Sequence, residues 1–168
     1  MIGKLASLLR AMLRDHDTLV PLREELQWID DYLEIETVRF GAEKLRVVKE
    51  IEPSVLDIRV PSILLQPLVE NSIKHGLEPR IAGGTVTLRS RRGENGLVIE
   101  VEDDGVGISE QTLTSGTGIG IKLVRDRLQM LYGNMARFDL ESRPGRGTRV
   151  CLTVPVEDAA SDHPMSER

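Results

Sequence analysis

Aromatic side chains are scarce in this chain of 168 residues: one Trp, two Tyr and two Phe, 3% of the whole. That is too few for the stacking platforms on which proteins lay single-stranded nucleic acid. Basic charge is also in deficit. With 22 Lys and Arg against 27 Asp and Glu, the net charge is −5, and no basic footprint for DNA or RNA is present. A polyanionic ligand stays open, because local donors and net charge are separate matters. Cysteine occurs once, at Cys151, which excludes an internal disulfide and a cysteine metal cluster. Its place in the alternating run VCLTV reads as a buried strand residue. No run approaches the ~20 apolar residues of a membrane span, and no basic-then-apolar leader opens the chain. What is there, 40% hydrophobic and 29% charged residues, can pack one domain of ordinary size. The chain reads as soluble and suited to a reducing cytoplasm.

Ile2, Leu5, Leu8, Leu9, Met12 and Leu13 recur at helical spacing and stop at a polar cluster, residues 14–18. Pro21 opens a second helix, with Glu24 and Glu25 in its first turn, where acidic residues suit the helix dipole. The stripe Leu22, Leu26, Ile29, Leu33 carries apolar flanking surface at Trp28, Tyr32 and Ile35. Two destinations for that surface are equally open, a partner helix hairpin and the chain's own domain. From Gly41 the period changes: strands are predicted at 45–51, 85–91, 97–102, 137–142 and 148–154, with a turn at GENG between the second and third. Pro61 and Ser62 are predicted to begin a helix that Pro67 kinks or restarts. Ile121, Val124, Leu128 and Leu131 mark a further helix, with Gly133 as its C-cap. The tail EDAASDHPMSER has no periodicity and is expected to be disordered. Interspersed strands and helices predict a two-layer α/β sandwich.

Within LLQPLVENSIKHGL, residues 64–77, Asn71, Lys74 and His75 fall at i, i+3 and i+4 and share one helical face. Asn is a mediocre helix former, so a mid-helix Asn invites a reason. Lys74 and His75 each carry a plain alternative: an i, i+4 ion pair with Glu70 for the first, a favourable helix terminus for the second. Further on, LVIEVED runs into DDGVGI. Asp103 stands at the strand end, where its carboxylate can accept from an exocyclic amine, and Gly105 and Gly107 let the backbone approach a ligand. Gly116, Gly118 and Gly120 then precede a helix, and free N–H groups there suit an anion. Each signal is weak alone; a lone Gly-x-Gly is a tight turn more often than a nucleotide loop. The case lies in their order, closed by PGRGT at 144–148.

In that order, ENSIKHG, DDGVGI, GTGIGI and GRGT resemble the N box, the two glycine boxes and the closing strand motif of the GHKL superfamily, the ATP-binding domains of gyrase, Hsp90, histidine kinases and MutL. With PLREELQWIDDYLEIETVRF and VPSILLQPLVENSIKHGL on its flanks, the chain is similar to the sensor histidine kinases of the LytS/YehU type, over residues 1 to about 156. The resemblance implies a Bergerat-type α/β sandwich at 41–156, a helical remnant of the dimerisation and phosphoacceptor region at 1–40, and a disordered tail at 157–168. It implies ATP and Mg²⁺, with Asn71 as the metal ligand and Lys74 and His75 toward the phosphates. Asp103 would accept from the adenine amine with support from the Thr148 hydroxyl, Gly105 and Gly107 would shape the pocket, and Gly116, Thr117, Gly118 and Gly120 would form the lid hinge. One Asn suffices for Mg²⁺ that also binds phosphates and keeps waters.

Three departures stand out. In ATP-hydrolysing relatives a base lies one turn before the Asn, and here that position is Pro67, which argues against fast hydrolysis and leaves Glu70 as the catalytic candidate. The acceptor-His motif of such kinases is missing: His16 lies in a polar turn, His75 is assigned to the phosphates and His163 is in the tail. Leu123 also stands where the family commonly has Asn. The chain is therefore read as the catalytic part of a two-component kinase. It would transfer phosphoryl to a His helix outside its limits, act as a homodimer at full length, signal to a response regulator of the LytTR type, and form the cytoplasmic portion of a membrane-bound sensor. No nucleic-acid partner is expected. The rivals are a non-catalytic nucleotide-binding module and a serine kinase of the anti-sigma type.

Overall fold

Strands with one apolar and one charged face set the architecture. The computed structural model describes residues 19–41, 43–108 and 119–156. Along the chain come β1 (Leu19–Pro21), α1 (Leu22–Phe40), β2 (Leu45–Ile51), β3 (Arg59–Pro61) and α2 (Gln66–Asn71). Then follow β4 (Gly84–Gly93), β5 (Gly96–Asp103), α3 (Ile119–Tyr132), β6 (Arg137–Arg143) and β7 (Gly147–Val154). Five strands form one mixed sheet in the order β2-β4-β5-β7-β6, and β1 pairs with β3 in a small second sheet.

The β4–β5 pair is a hairpin, and β5–β7 and β6–β7 are also antiparallel. β2 and β4 are parallel, so the chain between them must cross over, and α2 rides on that crossover. Side chains alternate across the pleat. Val86 and Leu88, then Leu97, Ile99 and Val101, then Val150, Leu152 and Val154 point inward and are buried. Leu68, Val69 and Ile73, together with Ile121, Val124 and Leu128 of α3, close over them as one core. Each such side chain contributes roughly 1.5–3 kcal/mol by leaving water. The opposite face carries charge: Arg89 meets Glu50 at 2.7 Å and Glu102 at 2.5 Å, and Arg149 meets Glu100 at 2.9 Å. The two-layer α/β sandwich expected from the pattern is what forms.

Of the two destinations open to α1, its own domain takes it. Leu22, Leu26, Ile29 and Leu33 are buried in the common core, and the Leu22 N–H donates to Ile58 O at 2.9 Å. Ile35 and Val38 stay exposed. The helix expected from Pro61 and Ser62 begins later. Pro61 is the last residue of β3 and lies opposite Leu19, while Ile63 adopts φ +60°, an outlier for a β-branched residue. The helix starts at Gln66 with Pro67 in its first turn, where a missing N–H breaks no helical bond; no kink results. Beyond Asn71 the coil widens to π-type over Ser72–Leu77, with the Glu78 N–H donating to Ile73 O at 2.8 Å. The i, i+3, i+4 face assigned to Asn71, Lys74 and His75 is thus re-spaced. The amphipathic run at 2–13, residues 109–118 and the tail at 157–168 lie outside the described residues. Among the described residues no helix is long and apolar enough to cross a membrane.

Ile29→Ala should destabilise the fold by about 2–5 kcal/mol, read from the urea midpoint, whereas Val38→Ala, at a position 83% exposed, should stay within about 0.5 kcal/mol. Equal effects would show that α1 is not docked in solution.

Candidate functional site

β5 ends at Asp103, and the register fixes what faces it. Val86 lies opposite on one side and Thr148 on the other. Asp103 is 2% exposed. Its Oδ1 accepts the Gly105 N–H at 3.0 Å and the Thr148 N–H at 3.3 Å. Its Oδ2 is buried and has no hydrogen-bond partner. A buried polar atom left unpaired costs about 1–3 kcal/mol, so this oxygen asks for a donor. Burial pushes the carboxyl pKa up, against the opposing pull of the Gly105 N–H, the nearby Ser72 hydroxyl and the Thr148 N–H.

Missing side chains let the backbone close tightly around Asp103. A Cβ on Gly76 would stand 2.6 Å from Asp103 Oδ1, one on Gly147 would strike Asp103 O, and one on Gly105 would strike Gly76 O. The Val106 N–H donates to that same Gly76 O at 2.9 Å. Gly107, at φ +70°, packs so closely on Arg143 O that no side chain fits. The DDGVGI loop is thereby wedged between the π-type turn and the 143–147 turn. On the far side Ser142 Oγ receives the Ile108 N–H at 2.7 Å and lies 2.9 Å from Thr148 Oγ1. The Thr148 hydroxyl expected to support Asp103 therefore pairs with Ser142, and it is the Thr148 backbone that reaches the carboxylate.

Asn71 is half-buried at the junction of α2 and the π-type turn, next to Ser72, which is buried beside Asp103. Glu70 accepts from Gln66 Nε2 at 2.9 Å and from Lys74 Nζ at 3.1 Å, so Lys74 sits in the i, i+4 pair considered as its alternative. His75 is exposed. Gly120 lies in the first turn of α3, where a Cβ would stand 3.3 Å from Pro67 Cβ; its service here is close packing of α3 on α2. Gly116, Thr117 and Gly118 lie outside the described residues. The sequence reading missed Ser72, Gly76 and Ser142. Gly76 alone gave a signal, because a glycine within a helical pattern costs about 1 kcal/mol and wants a packing reason.

The comparisons with known proteins converge on one family. Residues 57–158 match the model described as histidine kinase-, DNA gyrase B-, and HSP90-like ATPase, and residues 1–45 match a model described as histidine kinase. The chain belongs to this ATPase family. Among curated proteins, the sensor histidine kinase YesM of Bacillus subtilis is 31% identical over 160 residues, 94% of this chain and 28% of the relative. The sensor histidine kinase BtsS of Escherichia coli is 32% identical over 95% of this chain, again 28% of the relative. The sensor protein LytS of Enterococcus faecalis is 32% identical over 86% of this chain and 26% of its own length. The chain thus spans little more than a quarter of these relatives. The histidine kinase domain of the blue-light activated kinase EL346 from Erythrobacter litoralis superposes with a TM-score of 0.63 at 26% identity, over 85% of this chain and 64% of that one. The catalytic domain of histidine kinase ThkA shares the fold, with a TM-score of 0.60 at 18% identity over 82% of this chain and 95% of that one.

Because the folded-state pKa of Asp103 stands above its ordinary value of 3.8, the native state holds the proton more tightly than the unfolded chain does. Its stabilising contribution is complete below 3.8 and is lost as pH rises through the folded value. Asp103→Asn should therefore gain stability relative to the wild type as pH rises above about 4, measured by denaturation across a pH series. A wild type that gains on the variant over the same interval would contradict burial as the dominant cause.

Proposed function

We propose that the chain is the ATP-binding catalytic part of a two-component sensor histidine kinase. Asp103 is the purine grip: its unpaired Oδ2 accepts the adenine amino group, beside a loop that Gly105 and Gly107 let pack close to shape the pocket wall. Asn71 offers an amide oxygen to Mg²⁺, which neutralises phosphate charge and keeps waters for its other positions. That donor set fits the ion: a single half-buried amide is poor as a stand-alone cation cage and adequate when phosphates supply further oxygens. Lys74, held by Glu70, serves the phosphates, with His75 at the edge, and Gly116, Thr117, Gly118 and Gly120 provide the hinge and backbone donors on that side. Thr148 holds Asp103 in place. Glu70 orients Lys74.

The observation that carries this reading is the buried, partnerless Asp103 Oδ2 in a glycine-built cradle. The reaction follows from what the relatives are named for. The γ-phosphorus–oxygen bond of ATP breaks, a phosphorus–nitrogen bond forms on a His supplied by a separate acceptor helix, and ADP leaves. In this division 1–40 belongs with the dimerisation and phosphoacceptor region and 157–168 is a tail. The partners are that His helix, a second copy of the full-length kinase, and a response regulator of the LytTR type; the sensor is membrane-bound and this part cytoplasmic.

Incubation with γ-labelled ATP, Mg²⁺ and a polypeptide carrying the acceptor helix should give acid-labile label on that polypeptide. Acid-stable label on serine would point to an anti-sigma type kinase, and binding without transfer to a non-catalytic module. Asn71→Ala and Asp103→Ala should each reduce nucleotide affinity by about 100-fold or more, equivalent to about 2.7 kcal/mol, in a calorimetric titration. Unchanged affinity in both variants would defeat the site assignment.

A further inference from the structure

The corner at 62–65, which delivers the chain into α2, is gripped from two sides by residues that no site motif contains. From α1, the Glu25 side chain, 1% exposed, accepts three successive backbone N–H groups. Ile63 donates to its Oε1 at 2.7 Å, and Leu64 and Leu65 donate to its Oε2 at 2.9 and 3.0 Å. From α3, the Arg127 guanidinium donates to Ser62 O. The corner needs holding, because Ile63 stands at φ +60°, a region that is strained for a β-branched residue. Hydrogen bonds to a carboxylate contribute more than neutral ones. Glu25 thus offsets the strain that turns the backbone from β3 into α2.

We infer that Glu25 is a positioning residue for the metal-binding side of the site. It fixes the start of α2 and, through that rigid turn and a half, the place of Asn71 relative to Asp103. This rests on the reading of Asn71 as the Mg²⁺ ligand. The carboxylate that would hold the purine hangs from β5 and takes its N–H donors from Gly105 and Thr148, none of which Glu25 touches; the π-type turn meets it through Ser72 and Gly76, farther along the chain than Asn71. α1 runs along the whole segment as a splint: Tyr32 lies near enough for the Glu70 charge to help raise its pKa, after burial and Glu36, and Arg39 pairs with Glu78 at 3.3 Å. A displacement of α1 would therefore reach Asn71 first, while Asp103 keeps its strand and its two N–H donors.

The test separates these two halves of the site. Wild type, Glu25→Gln and Glu25→Asp chains are titrated calorimetrically with ADP, with and without Mg²⁺. Glu25→Gln, which places an amide donor against an N–H donor, should keep its Mg²⁺-free ADP affinity within about twofold. It should lose about tenfold of the affinity measured with Mg²⁺, the size of effect seen when a group supporting a metal ligand is removed. Glu25→Asp, which keeps the charge on a shorter arm, should recover part of that loss. Equal losses with and without Mg²⁺, or no loss at all, would overturn the inference. A wild-type chain that binds no ADP would overturn the site reading first and the inference with it. Should Glu25→Gln not fold, amide exchange in the wild type decides: protection at 63–65 matching the core strands supports the grip, and exchange at the open-chain rate overturns it.

Discussion

Three stretches of backbone converge on Asp103 at separations that a methyl group would forbid. Gly76 from the π-type turn, Gly105 from the loop after β5, and Gly147 at the head of β7 each press against it or its neighbours. Close packing of main chain buries the carboxylate, supplies its two N–H donors and leaves one oxygen without a partner. The rest of the site is arranged about that fixed group. The β5–β7 register sets Thr148 opposite, and Ser72 and Gly76, four apart in the coil at Ser72–Leu77, both lie against the carboxylate.

The second organising contact ties α1 to this centre. A charged side chain buried on the apolar face of a helix is expensive unless it is fully hydrogen-bonded, and Glu25 meets that condition with three main-chain donors. The contact couples a helix that enters from the N-terminal side to both walls of the site, through α2 directly and through Arg127 of α3 at Ser62. Surface ion pairs such as Arg39–Glu78 add little to stability, of order 0–1 kcal/mol, but they keep α1 aligned along the segment that bears Asn71.

Much of this was legible in the sequence, and the failures are instructive. The strands β4 to β7 alternate cleanly, and Pro21 and Gly133 punctuate α1 and α3 where turn chemistry says they should. The place of Asp103 at the end of a strand was also readable, from LVIEVED running into Asp-x-Gly-x-Gly. β1 and β3 were invisible, because three-residue strands make their case only through a partner some forty residues away. PSILLQP reads as helix by periodicity, and the buried Glu25 overrides it, drawing three N–H groups into a bend that local preference resists. Glu25 itself looked like an ordinary first-turn acid, favourable to the dipole of its own helix, and its real partners belong to another. The π-type widening has no pattern of its own, and it changes which side chains around Asn71 share a face.

The outermost strands of the sheet have a consequence for how copies of this domain meet. β6 alternates Arg137, Asp139, Glu141 and Arg143 with half-buried Phe138 and Leu140, and β2 carries Arg46, Lys49 and Glu50. An unpaired edge is a template for another strand, and charges of both signs along it make a neighbour's approach unfavourable in most registers. Molecules crowded together are thereby kept from zipping into a continuous ribbon, and the sheet ends at five strands.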